Sequence, residues 1–266
     1  MLVPIVLLLI VLGLLAGAFG ALLGLGGSVI LVPLLVLLLP FPLHTVLAAG
    51  LVCVIATSSA AAGVYLQRGW VDVRLGMLLE LGTVTGALTG ASLVLLLPEN
   101  LLKGIFGGFL LVAAVLMLRR PPRQAEEIAD TVPAYRARNY PLGISVSYLA
   151  GNVSGLLGIG GGPIQVPLMY LGMGVPLKVA AATSNFIMGV TAAAGALLYY
   201  NRGSLVVAVT APLVLGVLVG AQLGSRLARR VRSRLVQVLL ILVLFALAGL
   251  MLAEAIGFTL PGRVAP

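Results

Sequence analysis

Apolar runs of 18 residues or more recur along most of this 266-residue chain. As helices, runs of that length match the ~30 Å hydrocarbon core of a bilayer. Inside lipid, only helices and closed barrels satisfy all of their own backbone polar groups. The composition agrees with a membrane setting: 61% of residues are hydrophobic and 9% charged, against roughly 25% charged in soluble domains. The expectation is an all-α polytopic membrane protein.

Those few charges exclude more than they suggest. A net charge of +9 would suit nucleic acid, yet almost all charged residues lie in short loops between apolar segments. Basic loops there act as topology determinants, so no nucleic acid is expected. Cys53 and His44 are the only residues of their kinds, which leaves no internal disulfide, thiolate cluster or histidine metal site and no expected cofactor. With no aspartate inside an apolar segment either, an intramembrane enzyme has little to build from. Residues 1–20 include an Ala16-Gly17-Ala18 sequence like a cleavage site but lack a basic start; they have a counterpart later in the chain and are expected to remain in the mature protein.

That counterpart belongs to a repeat. Gly24-Leu25-Gly26-Gly27-Ser28, with Pro33 beyond it, interrupts the first apolar stretch, and Gly158-Ile159-Gly160-Gly161-Gly162, with Pro167, does so again at a constant offset of 134. At the same offset Pro42-Leu43 matches Pro176-Leu177, Thr57 matches Thr191, Tyr65 matches Tyr199, and Arg68-Gly69 matches Arg202-Gly203. Gly82, Gly86 and Gly90 match Gly216, Gly220 and Gly224. Self-similarity of this kind marks duplicated architecture.

Each repeat divides into five apolar segments, at about 3–22, 28–40, 44–66, 73–97 and 101–118, then 141–157, 161–173, 176–200, 205–225 and 235–256. The organisation is thus a first membrane repeat over 1–118, a linker loop over 119–140, a second repeat over 141–256 and a tail over 257–266. The second segment of each repeat spans only about 20 Å as a helix, short of the bilayer core. The first two segments therefore read as a hairpin that enters the membrane and turns at the glycines.

An odd number of passages per repeat inverts the second repeat relative to the first. The charges then separate. Arg68, Arg74, Arg119, Arg120, Arg123, Arg136, Arg138, Lys178, Arg226, Arg229, Arg230, Arg232 and Arg234 fall on one side, and only Lys103, Arg202 and Arg263 on the other. The basic side is cytoplasmic by the positive-inside rule, which puts both termini outside the cytoplasm. The Gly82 and Gly216 series form small-residue ridges for close helix contact, within one chain or between the subunits of a homodimer. Tyr65, Trp70, Tyr199 and Tyr200, beside loop arginines, read as interfacial aromatics.

Inverted repeats with broken helices in matching places are the plan of a secondary transporter, with its site near mid-membrane. Glycine permits the turns and close approach of a ligand. The short helix after each turn opens with unpartnered amides and a positive dipole end, at Ser28 in one half and at Gly162-Pro163 in the other, where proline suits a first turn. The candidate site is accordingly Gly24, Gly26, Gly27 and Ser28 with Gly158, Gly160, Gly161, Gly162 and Pro163. Thr183, Ser184 and Asn185 are further candidates, as are Thr57, Thr191 and Asn152. The first repeat has Ala49-Gly50-Leu51 where the second has Thr183-Ser184-Asn185, so the site is expected to be asymmetric. No lysine or arginine lies mid-segment, so an anion would be held by amides and hydroxyls. Glu80, within a segment, is the candidate for proton coupling; Glu254 reads as interfacial.

The paired Gly-rich and Pro motifs, the Ala-Ala-Thr-Ser-Asn run after Pro176 and the Tyr-x-x-Arg-Gly segment endings resemble the TauE/SafE sulfite exporter family over nearly the whole chain. The resemblance implies a prokaryotic inner-membrane permease that moves a small anion outward, typically sulfite or sulfoacetate, and it implies residues 24–28 and 158–163 as the substrate-facing motif. A permease for another small solute and a non-transporting scaffold or assembly protein are the alternatives, and solute flux in proteoliposomes separates the last of these from a transporter.

Overall fold

The computed structural model describes residues 2–39, 41–118, 135–227 and 233–256. Most of the linker, the tail, and Arg119, Arg120, Arg123, Arg229, Arg230, Arg232 and Arg263 lie outside the described residues. Ten α-helices and no strand occur among the described residues. The first half contains α1 (Leu2–Leu23), α2 (Ser28–Leu38), α3 (Leu43–Gln67), α4 (Val73–Leu93) and α5 (Glu99–Leu118). The second contains α6 (Tyr140–Leu157), α7 (Gly162–Pro167), α8 (Leu177–Asn201), α9 (Val207–Leu227) and α10 (Ser233–Ala255). Stretches of α1, α3, α8 and α9 are each long and apolar enough to cross a bilayer.

Proline and glycine set the helix limits. Pro42 and Pro176 stand before α3 and α8 with ψ of 138° and 142°, and their carbonyls accept the first helical bonds. At the far ends, Gly69 and Gly203 adopt φ of 66° and 71°. Gly69 and Trp70 donate to Leu66 and Tyr65, while Gly203 and Ser204 donate to Tyr200 and Tyr199. These are Schellman terminations, and they account for the glycine of each Tyr-x-x-Arg-Gly motif.

One expected segment divides. The apolar stretch at 161–173 is α7 followed by a π-helical turn, Leu168–Gly172, rather than one helix. Proline has no amide to donate and crowds the preceding turn. Pro163 and Pro167 are four apart here, whereas α2 contains Pro33 alone and continues to Leu38.

Packing crosses between the halves. α1 lies on α9 and α6 on α4; α3 meets α8, and α5 meets α10. The glycine ridges are the contact points. Side chains added at Gly82, Gly86 and Gly90 of α4 would run into the backbone of Ile144, Tyr148 and Asn152 of α6. At Gly216, Gly220 and Gly224 of α9 they would run into Ile10, Leu14 and Ala18 of α1. Every member of the second set is a member of the first moved by the repeat offset, with the halves exchanged. This reciprocity is the signature of two-fold related contacts.

The aromatic residues at the ends of α3 and α8 serve the same packing. Tyr65 and Tyr199 are buried, with hydroxyls donating to Ala21 O at 2.9 Å and Gly155 O at 3.1 Å. Arg68 Nη1 reaches Ser225 O at 3.3 Å, in the last turn of α9, and Arg202 Nη1 reaches Ala91 O at 2.7 Å, in the last turn of α4. Cations suit helix C-termini, where carbonyls and the negative dipole end are exposed. Tyr65, Trp70 and Tyr199 are therefore buried fastenings rather than interfacial aromatics; Tyr200 is exposed. Since α4 follows the end of α3 and finishes at the end of α8, α3 and α8 terminate at opposite ends of the bundle. Glu254 is likewise buried, its carboxylate 3.1 Å from Lys103 Nζ, so this pair ties α10 to α5.

Candidate functional site

Each hairpin tip is built by a reversal that only glycine performs without strain. In the first, Leu25 donates back to Gly20 O at 3.1 Å and a Cβ on Gly27 would press on Ala16, so α2 starts against the end of α1. In the second, Gly158 closes α6 by donating to Ser154 O at 2.9 Å. Gly26 has φ of 68° and Gly160 of 79°, a region that costs other residues roughly 1–2 kcal/mol.

The two tips touch. A Cβ on Gly162 would lie 2.6 Å from Gly24 O and 3.0 Å from Leu25 Cα. Two side chains close over the contact. A Cβ on Gly26 would lie 2.9 Å from Met188 Sδ and 3.4 Å from Val54 Cγ2, while one on Gly160 would lie 2.5 Å from Val54 Cγ1. Val54 and Met188 are repeat equivalents in α3 and α8, both fully buried. Sequence reasoning missed them because an apolar residue in an apolar helix carries no signal beyond the offset. Two cavities open elsewhere. One, of about 560 Å³, is a surface groove between α4 and α6 lined by Gly82, Thr85, Ile144 and Tyr148; the other, of about 340 Å³, is lined by Gly69, Asp72, Tyr135 and Val179.

At the start of α2, backbone bonding begins with Val29 to Gly26 O and with Ile30 and Leu31 to Gly27 O. At α7 it begins with Ile164 and Gln165 to Gly161 O. The residues ahead of these have no helical carbonyl one turn back, and neither start carries a side-chain cap. The tips are not copies: Gly27 is right-handed with φ of −54°, whereas its equivalent Gly161 has φ of 72°.

The polar candidates divide by position. Ser28, at the start of α2, is fully buried with no partner for its hydroxyl. Ser184 Oγ donates to Gly24 O at 3.3 Å. Asn185 Nδ2 donates to Ala181 O at 3.1 Å and Ala21 O at 3.4 Å, leaving Oδ1 unpartnered. These three stand with Gly24, Gly26, Gly27, Gly158, Gly160, Gly161, Gly162 and Pro163 around the tips. The other four lie apart. Thr183 Oγ1 accepts from the Asp72 amide at 2.9 Å and so holds the start of α4. Thr57 donates to Cys53 O in its own helix. Asn152 faces α4, where it accepts from Thr89. Thr191 Oγ1 is 2.8 Å from both Glu80 Oε1 and Thr83 Oγ1, one turn along α8 from Met188. Gln165 of α7 went unremarked in the sequence although it is the one polar residue in an apolar stretch; it is buried, with neither amide atom partnered.

The end of the bundle that carries Arg68 is a separate polar cluster. Arg68 Cζ and Lys178 Nζ lie 5.2 and 5.3 Å from the centre of the Trp70 ring, within cation–π range. Asp72 caps α4 by accepting from the Leu75 amide at 2.9 Å and also accepts from the Tyr135 hydroxyl at 2.5 Å. Burial, then the neighbouring Asp72 carboxylate, pushes the Tyr135 phenol well above its ordinary value. The phenol accordingly stays protonated and keeps donating.

Long apolar helices, paired hairpins at equivalent positions and buried polar groups around their tips define a multi-pass helical membrane transporter. A family model described as sulfite exporter TauE/SafE matches residues 9–251. The chain belongs to that family. It is 30% identical to the probable membrane transporter protein YunE of Bacillus subtilis, over 94% of this chain and 98% of that one. It is 28% identical to the probable membrane transporter protein YdhB of the same organism, over 84% and 88% of the two chains. A sulfite exporter TauE/SafE family protein 3 of Arabidopsis thaliana is 34% identical over 44% of this chain and 25% of its own length. No solved structure matches the chain.

Proposed function

We propose that this transporter is a secondary active exporter of a small oxyanion, with sulfite the first candidate, held between the two glycine tips and released by alternating access. The observation that carries the reading is the meeting of the tips. Two uncapped helix starts and the unpartnered polar atoms of Ser28 and Asn185 gather at one buried contact. Positive helix ends stabilise anions, and buried polar atoms without partners are costly to keep. Because the tips touch, a solute enters only when they separate, which is the motion alternating access supplies.

The exchanged contacts between the halves support inverted repeats related by a two-fold axis in the membrane plane. Together with the positive-inside rule, these contacts support the reading that the Arg68 end faces the cytoplasm of a prokaryotic inner membrane, with both termini outside. Glu80, bonded to Thr191 across α4 and α8, is the proposed proton-coupling group. Sulfite in the printed names of the family and of the Arabidopsis relative supports the choice of anion.

Flux in proteoliposomes tests the reading. Saturable sulfite movement that competes with sulfoacetate, sulfate or thiosulfate is expected. No saturable flux of any of these removes the anion, and absence of flux of any small solute leaves a scaffold instead.

A further inference from the structure

The unpartnered groups at the tips include acceptors as well as donors. Asn185 has its Nδ2 between two carbonyl oxygens, Ala181 O and Ala21 O. Only the nitrogen end of an amide suits that position, which fixes the orphan as Oδ1, an acceptor. Gln165 is 1% exposed, with Nε2 and Oε1 both unpartnered. Its repeat equivalent, Leu31, is fully buried and has no polar atoms. An amide in place of leucine at this depth costs stability, since each unsatisfied buried group costs roughly 1–3 kcal/mol. Both residues lie near the tip contact. Gln165 is one turn along α7 from Gly162, which abuts Gly24, and Asn185 is one turn along α8 from Ala181, against which Gly24 also packs.

A bare oxyanion satisfies donors alone; it would set its own negative oxygens against Asn185 Oδ1 and Gln165 Oε1. We infer that Gln165 contacts the solute and, with Asn185 Oδ1, selects a singly charged oxyanion that carries its own hydrogen, of which hydrogensulfite is the simplest sulfur example. This rests on the reading that the tips hold the solute. The solute's oxygens accept from Gln165 Nε2, the Ser28 hydroxyl and the start of α2, and its hydrogen is donated to a carboxamide oxygen. No proton is transferred. The choice of a monoanion also follows from the lack, among the described residues, of a mid-helix arginine or lysine beside the tips, since burying two unpaired charges costs far more than burying one.

The test uses the full-length protein and the variants Gln165→Leu and, in a Cys53→Ala background, Gln165→Cys. Gln165→Leu copies Leu31, so in detergent without solute it should melt at or above the wild-type temperature, while its uptake of hydrogensulfite falls about tenfold or more, the loss expected for one buried bond to a charged group. Methanesulfonate, of the same charge but lacking the acidic hydrogen, should compete poorly with hydrogensulfite in the wild type. Gln165→Cys should be modified by small methanethiosulfonate reagents, the anionic one included. A clearly lower melting temperature in Gln165→Leu marks a structural amide and overturns the proposal, as does normal uptake by that variant or equal competition by methanesulfonate. Should the wild type carry none of these anions, the labelling still decides. Modification by the cationic reagent alone keeps Gln165 on a solute path but overturns the anion, and no modification by either reagent overturns the contact itself.

Discussion

Gly26 and Gly160 occupy equivalent turns, yet their neighbours differ in compliance. Met188, over Gly26, is unbranched and polarisable and can swing its thioether aside. Val54, over Gly160, is held in one or two rotamers by its β-branch. Both glycines have positive φ, so alanine at either adds roughly 1–2 kcal/mol of backbone strain, but only at Gly160 does it also meet a stiff neighbour at 2.5 Å. Gly160→Ala should therefore lower solute flux more than Gly26→Ala, and Val54→Ala added to Gly160→Ala should recover part of the loss. Initial uptake rates of the wild type and the three variants, normalised to folded protein, check this; equal loss at both glycines would mean that Val54 and Met188 are irrelevant. The glycines were legible in the sequence because they break an apolar run at a constant offset. Val54 and Met188 were not, since their importance comes from a contact and leaves no trace in composition. Gln165 lay between: its polarity was visible, its lack of partners was not.

At the scale of elements, α4 and α8 meet through Glu80, Thr83 and Thr191, and α8 also carries Met188 over the first tip. Under the proposed coupling, a proton arriving at Glu80 would act on the same helix that covers the first tip. Replacing Glu80 by Gln keeps an acceptor for Thr191 and removes the titration. Wild-type flux should vary with a pH gradient, and Glu80→Gln flux should be insensitive to it; a pH dependence that survives the substitution excludes Glu80 as the coupling group. The arginine fastenings make a second expectation. Arg202→Met removes a 2.7 Å charge-assisted bond from the end of α4, worth roughly 1.5–3 kcal/mol, and should lower the melting temperature in detergent more than Arg68→Met, whose bond is 3.3 Å. Helix limits were readable because proline and glycine carry their geometry locally. The break of the 161–173 stretch was not, because a single proline at the matching place of the first half is tolerated.

For the whole molecule, the repeat and the lopsided charges were legible, and they predict the topology. Reporter domains fused after Ser204 should be active only outside the cytoplasm, and those inserted within residues 119–134 only inside; the opposite result reverses the orientation. Which helices pair was not legible, because the ridge of α4 accepts α6 and that of α9 accepts α1, partners that sequence adjacency does not suggest. This exchange has a consequence for how the protein is made. The partner of α1 begins at Val207, so at about 5–20 residues per second α1 waits for roughly 10 to 40 s after its own synthesis. Gly13 and Gly17 are uncovered during that interval, and Lys103 likewise waits for Glu254. The first half is therefore a prolonged client of the insertion and quality-control machinery, and a ribosome stalled before α9 leaves a product for the membrane proteases to clear.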